Sequence, residues 1–420
     1  MAHYLVLGAG ITGITTAYAL LRRGHEVTVI ERNRYAAMET SFANGGQLSA
    51  SNAEVWTRWA TIFKGLKWMF TPGAPLLVNP RPGWHKYSWM AEFMAAIPNY
   101  ERNTVQTVRM ALQARDLLRD HAACEGFAFD CAQRGILHVY RSERELREAR
   151  KVSSLLAKGG LLREEIAPCE ARTLEPALTG PLTGAIYTAD DFTGDVHRYT
   201  MGLAQACARR GATLSFSTKL TQIAPNKGGV EAQWTNAHGA ARGWFDGVVV
   251  CAGVHSREIA RQLGDRVNVY PVKGYSITVN LDDSDSQAAA PQVSLLDDQA
   301  KIVTSRLGDT RLRIAGTAEF NGFNRDIRAD RIAPLTEWCA GLFPQVSTEH
   351  VVPWAGLRPM MPDMMPRVGP GRAPGVFYNT GHGHLGWTLG AATAEMVGEM
   401  IGPCEKPTRV PRGVPAGLAA

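Results

Sequence analysis

His3-Tyr4-Leu5-Val6-Leu7-Gly8-Ala9-Gly10-Ile11-Thr12-Gly13 opens the chain, and Val27-Thr28-Val29-Ile30-Glu31 follows one helix later. The apolar run Tyr4 to Leu7 reads as a buried parallel strand, and the glycines at 8, 10 and 13 open a helix from about Ile11 to Arg22. Each glycine has its own task. Gly8 permits the tight turn, Gly10 lets backbone N–H groups approach a pyrophosphate, and Gly13 lets helix and strand pack closely. The helix then aims its N-terminal dipole and unpaired N–H groups at that phosphate. Arg22, Arg23 and Gly24 supply a basic last turn and a terminating glycine. Glu31 stands 23 positions past Gly8, where a carboxylate accepts hydrogen bonds from a ribose 2′-hydroxyl. Strand, glycines, helix, second strand and acid in this order predict a Rossmann-like dinucleotide site rather than a glycine turn with no ligand. Glu31 argues against a 2′-phosphate and leaves NAD and FAD open.

At 420 residues the chain has room for two domains or one large discontinuous one. With 45% apolar and 20% charged residues it is an ordinary globular sequence. The net charge of +6 is spread without a Lys/Arg block, so it reads as a solvated surface and not as a nucleic-acid footprint. Seven cysteines (124, 131, 169, 207, 251, 339, 404) are scattered without a CxxC pair, the pattern of idle thiols in a reducing cytoplasm, with no metal site. The apolar opening lacks the basic start of a signal peptide, and no stretch is long and apolar enough to span a membrane.

Downstream of Glu31 the loop Thr40-Ser41-Phe42-Ala43-Asn44-Gly45-Gly46-Gln47 is small and hydroxyl-rich, suited to run beside a cofactor or to form a plain surface turn. Trp56 to Phe70 is aromatic, basic and helical in pattern. Packing on its own protein is the simpler reading, an anionic membrane surface the alternative. Prolines at 72, 75, 80 and 82 break the chain, and helices are expected over Met90 to Ala123 and Glu143 to Leu162. Asp195 is placed to cap a helix over Val196 to Arg209 that Gly211 ends. Strands follow at Thr213 to Phe216, Val230 to Trp234 and Trp244 to Val250, the last running into Ala252-Gly253, where backbone can approach a ligand. Lys273 to Val279, Lys301 to Ser305 and Arg311 to Gly316 alternate like an antiparallel sheet, with Asp282 to Gln292 an exposed connection. Near the end, Val376 to Asn379 leads through Gly381-His382-Gly383 into a small-residue helix reaching about Ile401, and a frayed tail is expected from 403 to 420.

Taken together, Gly8 to Gly13 with Glu31, Glu39 to Gln47, Leu66 to Phe70, Gly194-Asp195, Tyr270-Pro271-Val272-Lys273-Gly274-Tyr275-Ser276, Gly356-Leu357-Arg358-Pro359-Met360 and Asn379 to Thr388 resemble the D-amino acid oxidase and glycine oxidase class of flavoproteins, and within it the bacterial D-amino acid dehydrogenases of small-subunit type. The resemblance implies an α/β chain with an α+β substrate part. A Rossmann-like FAD-binding domain (1–50, 190–262, 357–402) would adjoin an antiparallel-sheet substrate domain (51–189, 263–356), both discontinuous.

It implies further that FAD is held by Gly8, Ala9, Gly10, Ile11, Thr12, Gly13, Glu31 and Arg32, by Thr40, Ser41, Asn44, Gly45, Gly46, Gln47 and Leu48, by Ala252, Gly253 and Arg358, and by Gly381, His382, Gly383, His384, Leu385, Gly386, Trp387 and Thr388. No cysteine adjoins the Arg358 motif and no histidine lies in the Thr40 to Gln47 loop, where relatives attach flavin covalently, so FAD is expected to be non-covalent.

Arg358, in Gly-Leu-Arg-Pro, resembles the residue that grips the substrate carboxylate in this class, where a planar guanidinium binds two oxygens at once. Arg358, His382 and Tyr275 are the expected catalytic residues, and Asn52, Tyr275, Arg358 and His384 the expected substrate contacts. The implied reaction is oxidative deamination of a D-amino acid, with hydride passing from Cα to flavin and electrons onward to a quinone or electron-transfer protein. An oxygen-using oxidase and a flavin-holding subunit without chemistry of its own are the other readings. Against the family pattern, Asn52 and Ala300 replace tyrosines and His384 replaces a threonine, which makes a D-imino acid of hydroxy-D-proline type the alternative substrate. The expected location is cytoplasmic, with peripheral contact at the inner membrane as the variant.

Overall fold

The computed structural model describes residues 1–403 apart from Phe70 and Pro72. The tail expected from 403 onward lies outside the described residues beyond Pro403, as do Cys404, Phe70 at the end of the expected Trp56 to Phe70 helix, and Pro72.

A six-stranded sheet is built from chain-distant pieces in the order Arg367–Pro370, Val376–Thr380, Gly247–Val250, His3–Leu7, Glu26–Ile30, Thr213–Ser215. All neighbours are parallel except the first pair. Its strands are apolar because both faces are covered, as parallel sheets require. One face carries the helices Ile11–Arg22, Val196–Arg209 and Gly386–Ile401 over a core that includes Val6, Ile14, Leu203 and Val397. The first and last helices touch closely enough for Thr15 Oγ1 to donate to the Gly390 carbonyl at 3.1 Å. The opposite face is covered by a three-stranded antiparallel sheet (Lys219–Asn226, Gly229–Asn236, Gly239–Phe245) and the helix Ser256–Gln262.

The second layer is a nine-stranded mixed sheet, with Val351–Met360, Tyr270–Asn280, Arg311–Phe320, Ile302–Leu307 and Ser294–Asp297 as its antiparallel half. Its back packs on the helix Ala329–Leu342 around Ile277, Ile314 and Leu335. The strand Val351–Met360 runs unbroken through the domain boundary expected at 356/357, so Arg358 belongs to this sheet and not to the nucleotide-side segments.

The opening helix spans Ile11–Arg22, and Asp195 Oδ1 accepts the His197 and Arg198 N–H groups at the head of Val196–Arg209. Other expectations need correction. The run Met90 to Ala123 is two helices, Trp84–Ala95 and Tyr100–Glu125, separated where Pro98 enters a short 3-10 turn. The helix expected to Leu162 stops at Ala157, before Gly159 and Gly160. Trp244 to Val250 is two strands in different sheets, turned at Asp246, whose carboxylate accepts the His3 N–H at 2.6 Å. Asp282 to Gln292 contains the helix Ser284–Ala289, capped by Asp283. The helix Trp59–Met69 does not bury its apolar side: Phe63 is 66% exposed, and Trp59, Leu66 and Met69 are exposed with it.

Candidate active site

Between the carboxyl ends of the parallel strands and the front of the nine-stranded sheet lies a cleft of about 1680 Å³. Ligands of open α/β sheets bind at such strand ends, and this volume exceeds the roughly 300–1,000 Å³ of a typical small-molecule site. At its nucleotide end Gly8 takes φ +103°, a conformation in which a side chain is strained. A Cβ on Gly13 would stand 1.8 Å from the Gly8 carbonyl oxygen, so helix and turn meet with no space for one. Glu31 lines the cleft; its Oε2 accepts the Ala9 N–H at 2.8 Å and its Oε1 the Asn33 N–H at 2.9 Å. Arg32 also borders the cleft, paired with Glu39 and donating to His255 Nε2.

The Thr40 to Gln47 loop is no free surface turn. Ser41 Oγ accepts the Ile11 N–H at 3.1 Å, the position an anion's oxygen would take at this helix N-terminus. Hydroxyls of the nine-stranded sheet hold the loop from the other side: Ser276 Oγ donates to the Ala43 carbonyl at 2.8 Å, and Ser305 Oγ to the Gly45 carbonyl at 2.6 Å. Gln47 Nε2 donates to the Leu295 and Thr304 carbonyls while its Oε1 is buried with no partner.

Arg358 stands where two loops converge on its strand. Thr40 Oγ1 donates to the Leu357 carbonyl at 2.8 Å, and the Gly383 N–H donates to the Pro359 carbonyl at 2.9 Å. The guanidinium lies across Gly274 so closely that a Cβ there would be 2.3 Å from Cζ. Its Nη1 donates to the Thr317 carbonyl at 2.7 Å, and it has no carboxylate partner among the described residues. Burial pushes its pKa down to about 10, which leaves it charged at neutral pH. A charged guanidinium without an anion, facing a cavity, is a site for a carboxylate.

His384 stacks on Trp56 with ring centroids 4.4 Å apart, and both its ring nitrogens are buried without partners. Burial, then the nearby charges of Arg358 and Lys301, hold its pKa down to about 3. His382 is also held to about 3 by burial, so neither ring is charged between pH 5 and 8.

His382 lines the cleft, and its Nε2 is bonded to Thr393 Oγ1 at 2.9 Å, tying the glycine turn to the last helix. Alternate residues of a strand face opposite sides; Gly274 and Ser276 face the cleft, whereas Tyr275 is buried in the core behind the sheet, its hydroxyl donating to Glu319 Oε2 at 2.7 Å. Tyr275 thus borders the cleft wall while its ring and hydroxyl are engaged on the core side of the sheet. Leu48 likewise turns into the nucleotide-sheet core, and Ala300 packs behind the sheet and off the cleft. Asn52 lines the cleft together with Ala252, Gly253 and the Gly381 to Thr388 run. Sequence reading missed Gly274, Thr317 and Trp56. Their roles depend on cross-strand register and on ring stacking between distant segments, which no local pattern signals.

A family model described as FAD dependent oxidoreductase (DAO) matches residues 3–400. The chain belongs to this family. It is 58% identical over 398 residues to D-amino acid dehydrogenase 3 of Mesorhizobium japonicum, covering 94% of this chain and 96% of the relative. It is 39% identical over 404 residues to D-amino acid dehydrogenase of Paramagnetospirillum magneticum, covering 94% and 93%. Among solved structures, glycine oxidase from Geobacillus kaustophilus aligns with TM-score 0.73 at 21% identity over 96% of this chain and 95% of that one. L-proline dehydrogenase from P. horikoshii aligns with TM-score 0.73 at 17% identity, over 95% and 93%. These two likenesses show the shared fold.

The chain is thus an FAD-dependent oxidoreductase, and its residues fit that cofactor. The contact between Gly8 and Gly13 admits backbone only, the first turn of the helix opened there carries no acid, and a second helix, Gly386–Ile401, begins on the same cleft without a side-chain cap. Two helix N-termini facing one cavity favour negative charge at both places.

Proposed function

We propose that the chain oxidises a D-amino acid to an imine, which water hydrolyses to the 2-oxo acid and ammonia, and that a quinone or electron-transfer protein takes the electrons onward. The observation that carries this reading is the charged Arg358 guanidinium, with no carboxylate among the described residues to neutralise it, on the wall of a dinucleotide-sized cleft. The D-amino acid dehydrogenase relatives supply the substrate class.

FAD, held without a covalent bond, supplies the two-electron acceptor. The protein's own part is binding and orientation. Arg358 grips the substrate carboxylate through two parallel N–H donors and so fixes the position of Cα, and fixing reactants accounts for much of the rate gain. The Thr317 carbonyl holds one guanidinium nitrogen and restricts its rotation. Trp56 and His384 form an aromatic wall that keeps water from that end of the cleft. A neutral substrate amine needs no protein base, in keeping with His382 and His384 being uncharged and bound up in packing.

An anaerobic screen of D-, L- and N-substituted amino acids tests this reading, with loss of absorbance at roughly 450 nm as the signal of flavin reduction. D-amino acids are expected to bleach the protein. If none does, the reading fails. Peroxide formed with every turnover in air would replace the dehydrogenase with an oxidase.

We also propose that the helix Trp59–Met69 rests on an anionic lipid surface beside the cleft mouth. Its exposed row of Trp59, Phe63, Leu66 and Met69 carries Lys64 and Lys67 and no acid, and the exposed Tyr87 and Met94 border the same cleft. Apolar insertion together with basic residues, each worth about 1 kcal/mol near such a surface, suits peripheral binding. No helix among the described residues is long and apolar enough to cross a membrane. Co-sedimentation with anionic vesicles is expected for the native protein, and its loss is expected for Phe63→Glu/Leu66→Glu. Native protein that stays in the supernatant would reject the contact.

A further inference from the structure

Of the motif Lys273-Gly274-Tyr275, only the glycine faces Arg358. The two flanking side chains point into the back of the sheet and converge on one carboxylate. Lys273 and Glu319 are both 0% exposed, with Nζ 3.3 Å from Oε1. Lys273 Nζ also donates to Asn324 Oδ1 at 2.6 Å and to the Asp326 carbonyl at 3.0 Å. Asn321 Nδ2 donates to Glu319 Oε1 at 2.8 Å, and the Tyr275 hydroxyl donates to Glu319 Oε2. Every charged group in this cluster is therefore paired.

The register shows what the cluster straddles. Lys273 stands opposite Glu319, and the next matched pair is Tyr275 with Gly316. Gly274 thus faces both Thr317 and Ala318, a bulge of one extra residue. Thr317 sits there at φ +60°, and its carbonyl is the one that accepts from Arg358 Nη1. Lys273 binds Glu319 on one side of the bulge, and Tyr275 reaches back to the same carboxylate from the other. A left-handed threonine is strained and persists only where its surroundings over-determine it. A one-residue slip to regular pairing would reverse the faces of the strand and take the Thr317 carbonyl from the guanidinium. Buried ion pairs are poor sources of stability, and their best-attested use is to fix register.

We propose that the Lys273–Glu319–Tyr275 cluster is a positioning device for substrate: from behind the sheet it locks the bulge that aims the Thr317 carbonyl at Arg358, and so sets the angle of the carboxylate clamp. This rests on reading Arg358 as that clamp.

The test uses the FAD-loaded full chain and benzoate, a carboxylate without an amine, whose binding is read from perturbation of the flavin spectrum. Tyr275→Phe removes one hydroxyl and keeps the packing, and Glu319→Gln removes the charge. Both are expected to weaken benzoate binding by about 3- to 30-fold, the range for coupling through residues that do not touch the ligand, while FAD affinity stays unchanged. Should Glu319→Gln fail to fold, Tyr275→Phe decides alone. A merely structural cluster would lower Tm and leave the benzoate Kd within about twofold of native in protein that keeps its flavin; that result overturns the proposal. Native protein that binds no benzoate removes the clamp itself, a distinct failure from variants that bind as native does.

Discussion

Arg358→Leu is expected to lower kcat/KM for the best D-amino acid by at least about 3 kcal/mol, roughly 150-fold, through loss of a charge-assisted bidentate contact. The fold is expected to survive. The native guanidinium is already buried without a counter-ion, its pKa pushed down by that burial, so its removal relieves desolvation. The opposing cost is the Thr317 carbonyl left without its donor, which is worth about 1–3 kcal/mol when buried. Retained flavin and a Tm near native, with the loss divided between KM and the rate of flavin reduction, are the expected signature. A variant with near-native kcat/KM would take Arg358 out of the site and leave the proposed reaction without a carboxylate anchor.

The parts of this site that were readable in sequence are those whose signal is local. The Gly8 to Gly13 turn, the Asp195 cap and the final strand-turn-helix each lie in one short consecutive stretch of chain, and each fixes its own geometry through φ, a cap or a helix terminus. The orientation of Tyr275 was not readable, because adjacency to Gly274 in sequence means opposition in a strand, and which of the two faces the cleft depends on pairing with Val351–Met360. The bulge at Thr317 is a property of two strands together and is silent in either one. The helix Trp59–Met69 failed in a third way. Its pattern of aromatic and basic residues is the same whether the apolar side meets protein or lipid, and only the surrounding fold shows that the described residues leave Phe63 exposed. The family resemblance carried Arg358, whose chemistry composition and spacing could not have assigned.

Gly13→Ala is expected to give protein that binds FAD about 5- to 150-fold more weakly, since overpacking a closed contact typically costs about 1–3 kcal/mol. The clash is with backbone: the new methyl would lie 1.8 Å from the Gly8 carbonyl oxygen and 2.9 Å from its carbon. No rotamer relieves it, so the helix Ile11–Arg22 must retreat from the turn, taking with it the N–H groups that face the phosphate side of the cleft. The same retreat strains the Thr15 contact with Gly390, through which the two cleft-facing helices are joined. Gly341→Ala, in the helix Ala329–Leu342 behind the nine-stranded sheet, is the control, because its Cβ would meet nothing within 4 Å. Flavin absorbance per chain and the rise in Tm on adding FAD distinguish the outcomes. If Gly13→Ala retains stoichiometric yellow cofactor as Gly341→Ala is expected to, the close approach of helix and turn is not what seats the dinucleotide.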